Sequence, residues 1–393
     1  MNKWKSTIGW LHLWLGLFSG TVLFIVSITG ALYVFHDEIK NTLEPWRFVE
    51  PRNQSFAPPT QLLDTARQYM PGKTPSGLTY EDETGAAAVG FYYKKNNKTD
   101  FGVVFLNPYT AEFLHKKDAV LQGGFDFFRF LMKGHRNLWL PEQIGRKVVG
   151  TGVLIFLFLL LSGLIMWWPK NLKKQQRRKS FHIGWRAGFK RLNYDLHNVL
   201  GFYVLLFGLV LAISGLVWSF SWFENGLYFL TSGGEKKPGH RHPHSDVSKA
   251  VLLTENDTSP LDRAYYLALA EQANPKRIYI TPHLKDKDDA IEIVLYEKKG
   301  KFYRHNEYFF DQYTLEPLRM KGDRYSETDF AEKLSMMNYD IHTGAILGLP
   351  GKILAFLVSL ICASLPITGF IIWIKKKQVN KTQRDNLRSQ LQL

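Results

Sequence analysis

The chain has 393 residues, 45% of them apolar and 22% charged, with a formal net charge of +15 and a single cysteine, Cys362. That length allows two or three domains, and a mean hydropathy just below zero puts a large share of the chain in water. One cysteine excludes disulfide-stapled segments, thiol-pair redox chemistry and thiolate metal sites. The positive charge does not point to nucleic acid, because it gathers beside apolar runs. Lys170, Lys173, Lys174, Arg177, Arg178, Lys179, Arg186, Lys190 and Arg191 stand together, Lys3 and Lys5 precede the first run, and Lys375, Lys376 and Lys377 follow the last. This is the positive-inside pattern of a protein in a lipid bilayer with both termini in the cytoplasm.

In chain order, residues 1–37 enter as MNKWKSTIGWLHLWLGLFSG and leave as SITGALYVFHDEI. The run is too long for a cleaved signal peptide and lacks a small-residue cleavage site, so it is expected to remain as the first span. His12, Gly16 and Gly20 recur every fourth residue and share a face that lets a helix or a flat macrocycle approach closely. Residues 38–125 read as a small α+β unit, with PTQLLDTARQYM as an amphipathic helix and SGLTYE, AAAVGFYYK and FGVVFLNP as strands. Residues 126–169 hold a short approach helix with His135 and, past a proline, the second span; residues 170–192 are the basic loop. The third span, residues 193–221, reads as one uninterrupted crossing with His197 at its mouth and Gly201 one turn on. Residues 222–328 repeat the α+β series, with SPLDRAYYLALAEQA as helix and KRIYITP, AIEIVLYE and KFYRHNEYFF as strands. The two units close on similar turns, FLNPYTAEF and FFDQYTLEP. Residues 329–375 carry His342 on a second approach helix and then the fourth span, and residues 376–393 form a cytoplasmic tail. The expected fold is therefore membrane α-helical, with four transmembrane helices and two external α+β domains, as a tandem parallel repeat whose halves both begin in the cytoplasm.

That repeat pairs His12 with His197 at one face of the bilayer and His135 with His342 at the other. In the near-identical pentapeptides NYDLH and NYDIH, Asp195 and Asp340 are expected to cap helices, leaving His197 and His342 in first turns that favour a neutral imidazole. A lone interfacial histidine is more often a polar anchor, but ionisable groups at related span mouths point to function. Zinc wants three or four ligands in one site, and c-type haem needs a CxxCH that the chain lacks. Two b-type haems, each on two imidazoles, fit the count. His36, beside Asp37 and Glu38, reads as an interfacial residue or a reserve ligand, and His240, His242 and His244 as a solvated loop or a metal-catching tract. His182 reads as a solvated residue of the basic loop, and His115, His283 and His305, in the external units, carry no spacing signal. No flavin or nicotinamide fingerprint is visible, so the electron donor is expected to be external, a quinol or a cytoplasmic reductase.

HLWLGL with SITGALYVFHDEI, GHRNLWL with GRKVVG and LSGLIMWWP, RLNYDLHNVLGFY, and DIHTGAILGLPGK with ITGFIIW together resemble the PepSY-associated transmembrane helix proteins. The resemblance covers nearly the whole chain, and some members are iron-regulated inner-membrane proteins related to ferric-siderophore (ferrioxamine) reductases. It implies two periplasmic PepSY-like domains and two b haems on the matching His12, His135, His197 and His342. It also implies a place in the bacterial inner membrane and reduction of a ferric siderophore. Two other functions stay open: a non-enzymatic membrane protein whose PepSY-like domains bind peptides or regulate a protease, and a transporter component. Against the last, polar residues at mid-depth are few, chiefly Ser27, Thr29, Ser162, Ser214, Ser359 and Thr368.

Overall fold

A computed structural model describes residues 3–95, 98–118, 126–168, 180–239, 242–252, 259–282 and 286–391. Six cations of the basic loop, from Lys170 to Lys179, fall outside them, as do His240 and His283. In chain order the helices are α1 Lys3–Tyr33, α2 His36–Leu43, α3 Pro59–Tyr69, α4 Phe127–Asn137, α5 Glu142–Trp167, α6 Phe189–Tyr203, α7 Leu205–Ser219, α8 Ser221–Thr231, α9 Pro260–Glu271, α10 Phe330–His342 and α11 Leu349–Leu391. The strands are β1 Pro75–Tyr80, β2 Ala87–Lys95, β3 Lys98–Leu106, β4 Phe113–Asp118, β5 Arg277–Ile280, β6 Ile291–Tyr296, β7 His305–Phe310 and β8 Pro317–Leu318. The chain divides into a helical unit, Met1–His36 with Phe127–Leu227 and Ile341–Leu393, and a sheet unit, Asp37–Asp126 with Tyr228–Asp340.

In the helical unit, α1, α5 and the Leu349–Gln378 part of α11 are each long and apolar enough to cross a membrane. The third expected span is not one straight crossing. It breaks at Val204 into α6 and α7, bent by 65°, so a fourth span exists only if that pair counts as one. Gly201 and Gly208 flank the break, where the helix loses the side chains that stiffen it. Across the bend Val204 N–H still donates to Leu200 O at 2.9 Å and Gly208 N–H to Val204 O at 2.7 Å. Leu23, Phe156, Leu160, Val204, Ala212, Val358 and Cys362 form the core of this unit. Large apolar side chains point outward instead of in, with Phe18 78% and Leu206 65% exposed, an arrangement suited to lipid and costly in water. Gly16 and Gly20 serve helix packing here, since a Cβ on Gly20 would stand 3.3 Å from Pro366 and one on Gly16 4.0 Å from Leu159. The expected tail at residues 376–393 is a continuation of α11 as far as Leu391.

The sheet unit brings the two α+β segments into one antiparallel sheet, ordered β4-β3-β2-β1-β5-β6-β7-β8. The seam is the β1–β5 pair, with Leu78 opposite Ile280 and Tyr80 opposite Ile278. Sequence patterning predicted the strands but kept the segments as two domains, because nothing local marks an edge strand that pairs with a partner some 200 residues away. The helices α3 and α9 both begin on a proline, whose fixed φ suits a first turn. They press Leu62, Leu63 and Ala66, and Ala264, Tyr265 and Ala268, onto a single core with Tyr80, Phe91, Ile293 and Leu295. Asp262 ties them together, accepting from Thr60 N–H at 2.9 Å and from the Thr60 hydroxyl. The short strands β4 and β8 escaped the sequence pattern, and the run from Lys301 becomes a strand only at His305.

The two closing turns have the same construction. Ala111 and Leu315 hold positive φ of 58° and 60°, and their N–H groups donate to Asn107 O and Asp311 O at 2.9 Å each. Burial alone would raise the Asp311 carboxyl, but backbone N–H donors from Asp246, Thr314 and Tyr313 outweigh it and hold it below its ordinary 3.8. A depressed carboxylate contributes stability above its unfolded value and loses it as pH falls through the folded one. Amide protection at Tyr313–Leu315, corrected for intrinsic exchange, is therefore expected to fall below about pH 4, and Asp311→Asn should flatten that dependence. An unchanged acid response in the variant would contradict the assignment.

Candidate functional site

The four histidines come together as two pairs inside the helical unit. His12 on α1 faces His197 on α6, ring centres 6.4 Å apart and planes at 88°. His135 on α4 faces His342 on α10, centres 6.0 Å apart and planes at 60°. Each ring is fixed through Nδ1: His12 to Ser162 Oγ at 2.8 Å, His197 to Thr368 Oγ1 at 2.9 Å and Leu365 O at 3.1 Å, His135 to Val26 O at 2.9 Å, and His342 to Ser214 Oγ at 2.9 Å. A carbonyl only accepts, so His135 and His197 carry their proton on Nδ1. The hydroxyls of Ser162 and Ser214 have a second acceptor for their one proton, Leu159 O at 3.2 Å and Val210 O at 2.7 Å on their own helices, and in that arrangement they too accept from Nδ1–H. In all four rings Nε2 is then a bare lone pair.

The capping expected of Asp195 and Asp340 is not what the structure has. The helix bearing His197 starts six residues before Asp195, at Phe189 after Gly188, and α10 starts at Phe330, so His342 is a last residue and not a first-turn one. Asp195, fully buried, accepts from Gly184 N–H at 3.0 Å and pairs with Arg191 at 2.8 Å. Asp340 accepts from Tyr303 N–H at 3.0 Å. These carboxylates position their helices, and the Nδ1 bonds take over the role given to the helix dipole. The prolines that were expected to separate each histidine from its span do so: α5 begins after Pro141, and Pro350 lies in the first turn of α11.

Other described histidines have partners of their own or stand in solvent. His36 stacks on Tyr33 with centres 4.1 Å apart, His115 stacks on Trp46 at 3.9 Å, His182 is exposed, and His305 lies 3.5 Å from Glu307. His244 pairs with Asp288 at 3.1 Å. A crevice of about 730 Å³ opens between α6 and α11, walled by Phe189, Tyr194 and Ile371 and edged by Lys190, Lys375 and Lys376. Its floor residue Asn193 donates to Thr368 O at 3.0 Å, and Thr368 holds His197.

The family model for the PepSY-associated TM region matches residues 9–376. The chain belongs to the PepSY-associated TM family. Among curated proteins no relative matches it.

Whether this PepSY-associated TM protein can accept a metal at the pairs turns on ligand count and spacing. A metal gripped from both sides by imidazole nitrogens at about 2.0 Å sets the two ring centres about 6 Å apart, and 6.4 and 6.0 Å agree with that. Among the described residues no third histidine, cysteine or carboxylate joins either pair; the one such cluster is Asp286, Asp288 and Asp289, on the sheet unit. A metal held by two protein ligands must bring the rest of its ligands with it, as haem iron does. The residues present fit b-type haem. The contributors that sequence reasoning missed are the hydroxyls beside the rings, Ser162, Ser214 and Thr368. Each apolar run carries a Ser/Thr–Gly dipeptide, Thr29–Gly30, Ser162–Gly163, Ser214–Gly215 and Thr368–Gly369, besides Ser19–Gly20 and Thr151–Gly152, and that recurrence was the available signal.

Proposed function

We propose that this multi-pass membrane protein is a dihaem b-type oxidoreductase that carries electrons across the bacterial inner membrane to a ferric siderophore in the periplasm. The observation that supports it is the presence of two facing imidazole pairs with Nδ1 engaged and Nε2 bare, at a spacing one six-coordinate iron requires. Haem bound in this way supplies one-electron transfer. His12 and His197 hold one group and His135 and His342 the other, and roughly 27 Å of helix rise separates His12 from Gly30, the residue beneath His135. That span suits transfer from one membrane face to the other. The basic crevice one turn from His197 suits an electron donor, a quinol or a cytoplasmic reductase, on the positive-inside side. One electron converts the chelated ferric ion to ferrous, which hard oxygen ligands hold less tightly, so iron is released.

The tandem repeat and the periplasmic place of the sheet unit belong to the same proposal, supported by the matching strand series on either side of the β1–β5 seam. The test is a reduced-minus-oxidised visible spectrum of the purified protein with haem counted per chain. A b-type signal at about two haems per chain is expected. A colourless protein from cells supplied with iron and porphyrin precursor would sink the proposal and favour the peptide-binding alternative.

A further inference from the structure

We infer that four Ser/Thr–Gly dipeptides, Thr29–Gly30, Ser162–Gly163, Ser214–Gly215 and Thr368–Gly369, are the positioning residues of the two metal sites: the hydroxyl, or the carbonyl beside it, fixes the Nδ1–H of one histidine, and at Gly30, Gly215 and Gly369 the glycine leaves room for that ring against the helix. This rests on the haem reading above. Each dipeptide serves one histidine. Ser162–Gly163 on α5 holds His12, Thr368–Gly369 on α11 holds His197, and Ser214–Gly215 on α7 holds His342. In the fourth, the Thr29 hydroxyl donates to Ile25 O at 2.6 Å and lies 3.1 Å from Val26 O, the carbonyl that takes the His135 Nδ1–H. The glycine follows in every case, and a Cβ built on it would meet the Cε1 of the same ring: 2.9 Å at Gly30, 3.2 Å at Gly369, 3.3 Å at Gly215 and 3.5 Å at Gly163.

Ordinary helix packing does not account for this. Gly16 and Gly20 show what packing glycines look like here, since they abut Leu159 and Pro366. Ser19–Gly20 is a Ser–Gly dipeptide that meets no imidazole, its hydroxyl bonded to Leu15 O of its own helix and its glycine facing Pro366. At these four dipeptides the hydroxyl and the glycine converge on one imidazole, in ordinary contact at Gly163 and closer than a Cβ allows without adjustment at the other three, and its Nε2 is aimed by them. A ring orientation set on Nδ1 also tunes the ligand. An Nδ1–H bond gives the imidazole more anionic character, which favours ferric over ferrous iron and lowers the potential. Each cup comes from the same half of the chain as its histidine, whereas each pair joins one histidine from residues 1–170 to one from residues 190–378. The rings are thus set before a metal bridges the halves.

The test compares Ser162→Ala, Ser162→Thr, Thr368→Ala, Gly30→Ala, Gly163→Ala and, as a control, Ser19→Ala in the full-length protein. The readouts are haem per chain, a redox titration that resolves both haems, and the rate of haem transfer to apomyoglobin. Ser162→Ala and Thr368→Ala should each shift one midpoint potential upward and speed haem loss from that site about 10-fold or more. Ser162→Thr, which keeps the acceptor, and Ser19→Ala should match the parent. If Ser162→Ala fails to accumulate, the Thr368→Ala potential and the Ser162→Thr match decide between the outcomes. Gly30→Ala should lose the His135 site, while Gly163→Ala, with ordinary contact distance, keeps both haems. A parent with two haems whose potentials do not move in either hydroxyl variant overturns this inference alone, as does equal damage from Gly163→Ala and Gly30→Ala. A parent without haem removes the reading beneath it.

Discussion

Replacing His342 by alanine is expected to remove one of two haems per chain and to slow electron delivery to a ferric chelate by about 100-fold or more. Loss of a residue that only orients a metal ligand typically costs 10–100-fold, and His342 is proposed as a ligand itself. Its ring is locked by Ser214 at 2.9 Å, backed by Trp218 with centres 5.1 Å apart, and set 6.0 Å from His135. Alanine leaves His135 alone, and one imidazole would hold the proposed haem less tightly than two. His12→Ala should do the same to the other pair, where Ser162 and Thr368 hold the two rings. The double variant should carry no haem. Haem content at two per chain in both single variants would show that the ligands lie elsewhere, even if the protein is red.

The second large effect lies at the seam of the sheet. Ile280→Ala is expected to cost roughly 2–5 kcal/mol, the range for truncating a large aliphatic side chain in a packed core. Ile280 is fully buried opposite the equally buried Leu78, and one cluster unites it with Val89, Phe91, Ile293 and Leu295. Because the core is shared, the damage should appear on both sides of the seam. In the intact protein, amide exchange should rise in β2, from the first α+β segment, as well as in β6, from the second. Faster exchange confined to residues 277–310 would mean that the segments fold as independent domains, as the sequence alone suggested.

How much of this was legible in advance differs by element. The α3 and α9 helices and most strands follow from local patterning, because apolar period and proline placement act within a dozen residues. The spans α1, α5 and α11 follow from length and lack of charge. The break at Val204 did not show, because the same apolar run is compatible with a straight helix or a bent one and neighbouring helices choose between them. Asp195 was misplaced for a related reason: an aspartate before an apolar run looks like a cap, but Phe189–Leu192 had already begun the helix.

For the site, the sequence by itself determined the inventory, four histidines at the mouths of apolar runs and a Ser/Thr–Gly dipeptide within each run, since a bilayer admits polar side chains only where something meets them. It also determined family membership, which follows from residues 9–376 as a whole. Only the tertiary structure decided that His12 meets His197 and His135 meets His342, that each Nδ1 is occupied, and that the two α+β segments share one sheet. Those are contacts between residues from about 100 to 200 positions apart, fixed by how helices and strands pack and not by anything the chain carries locally.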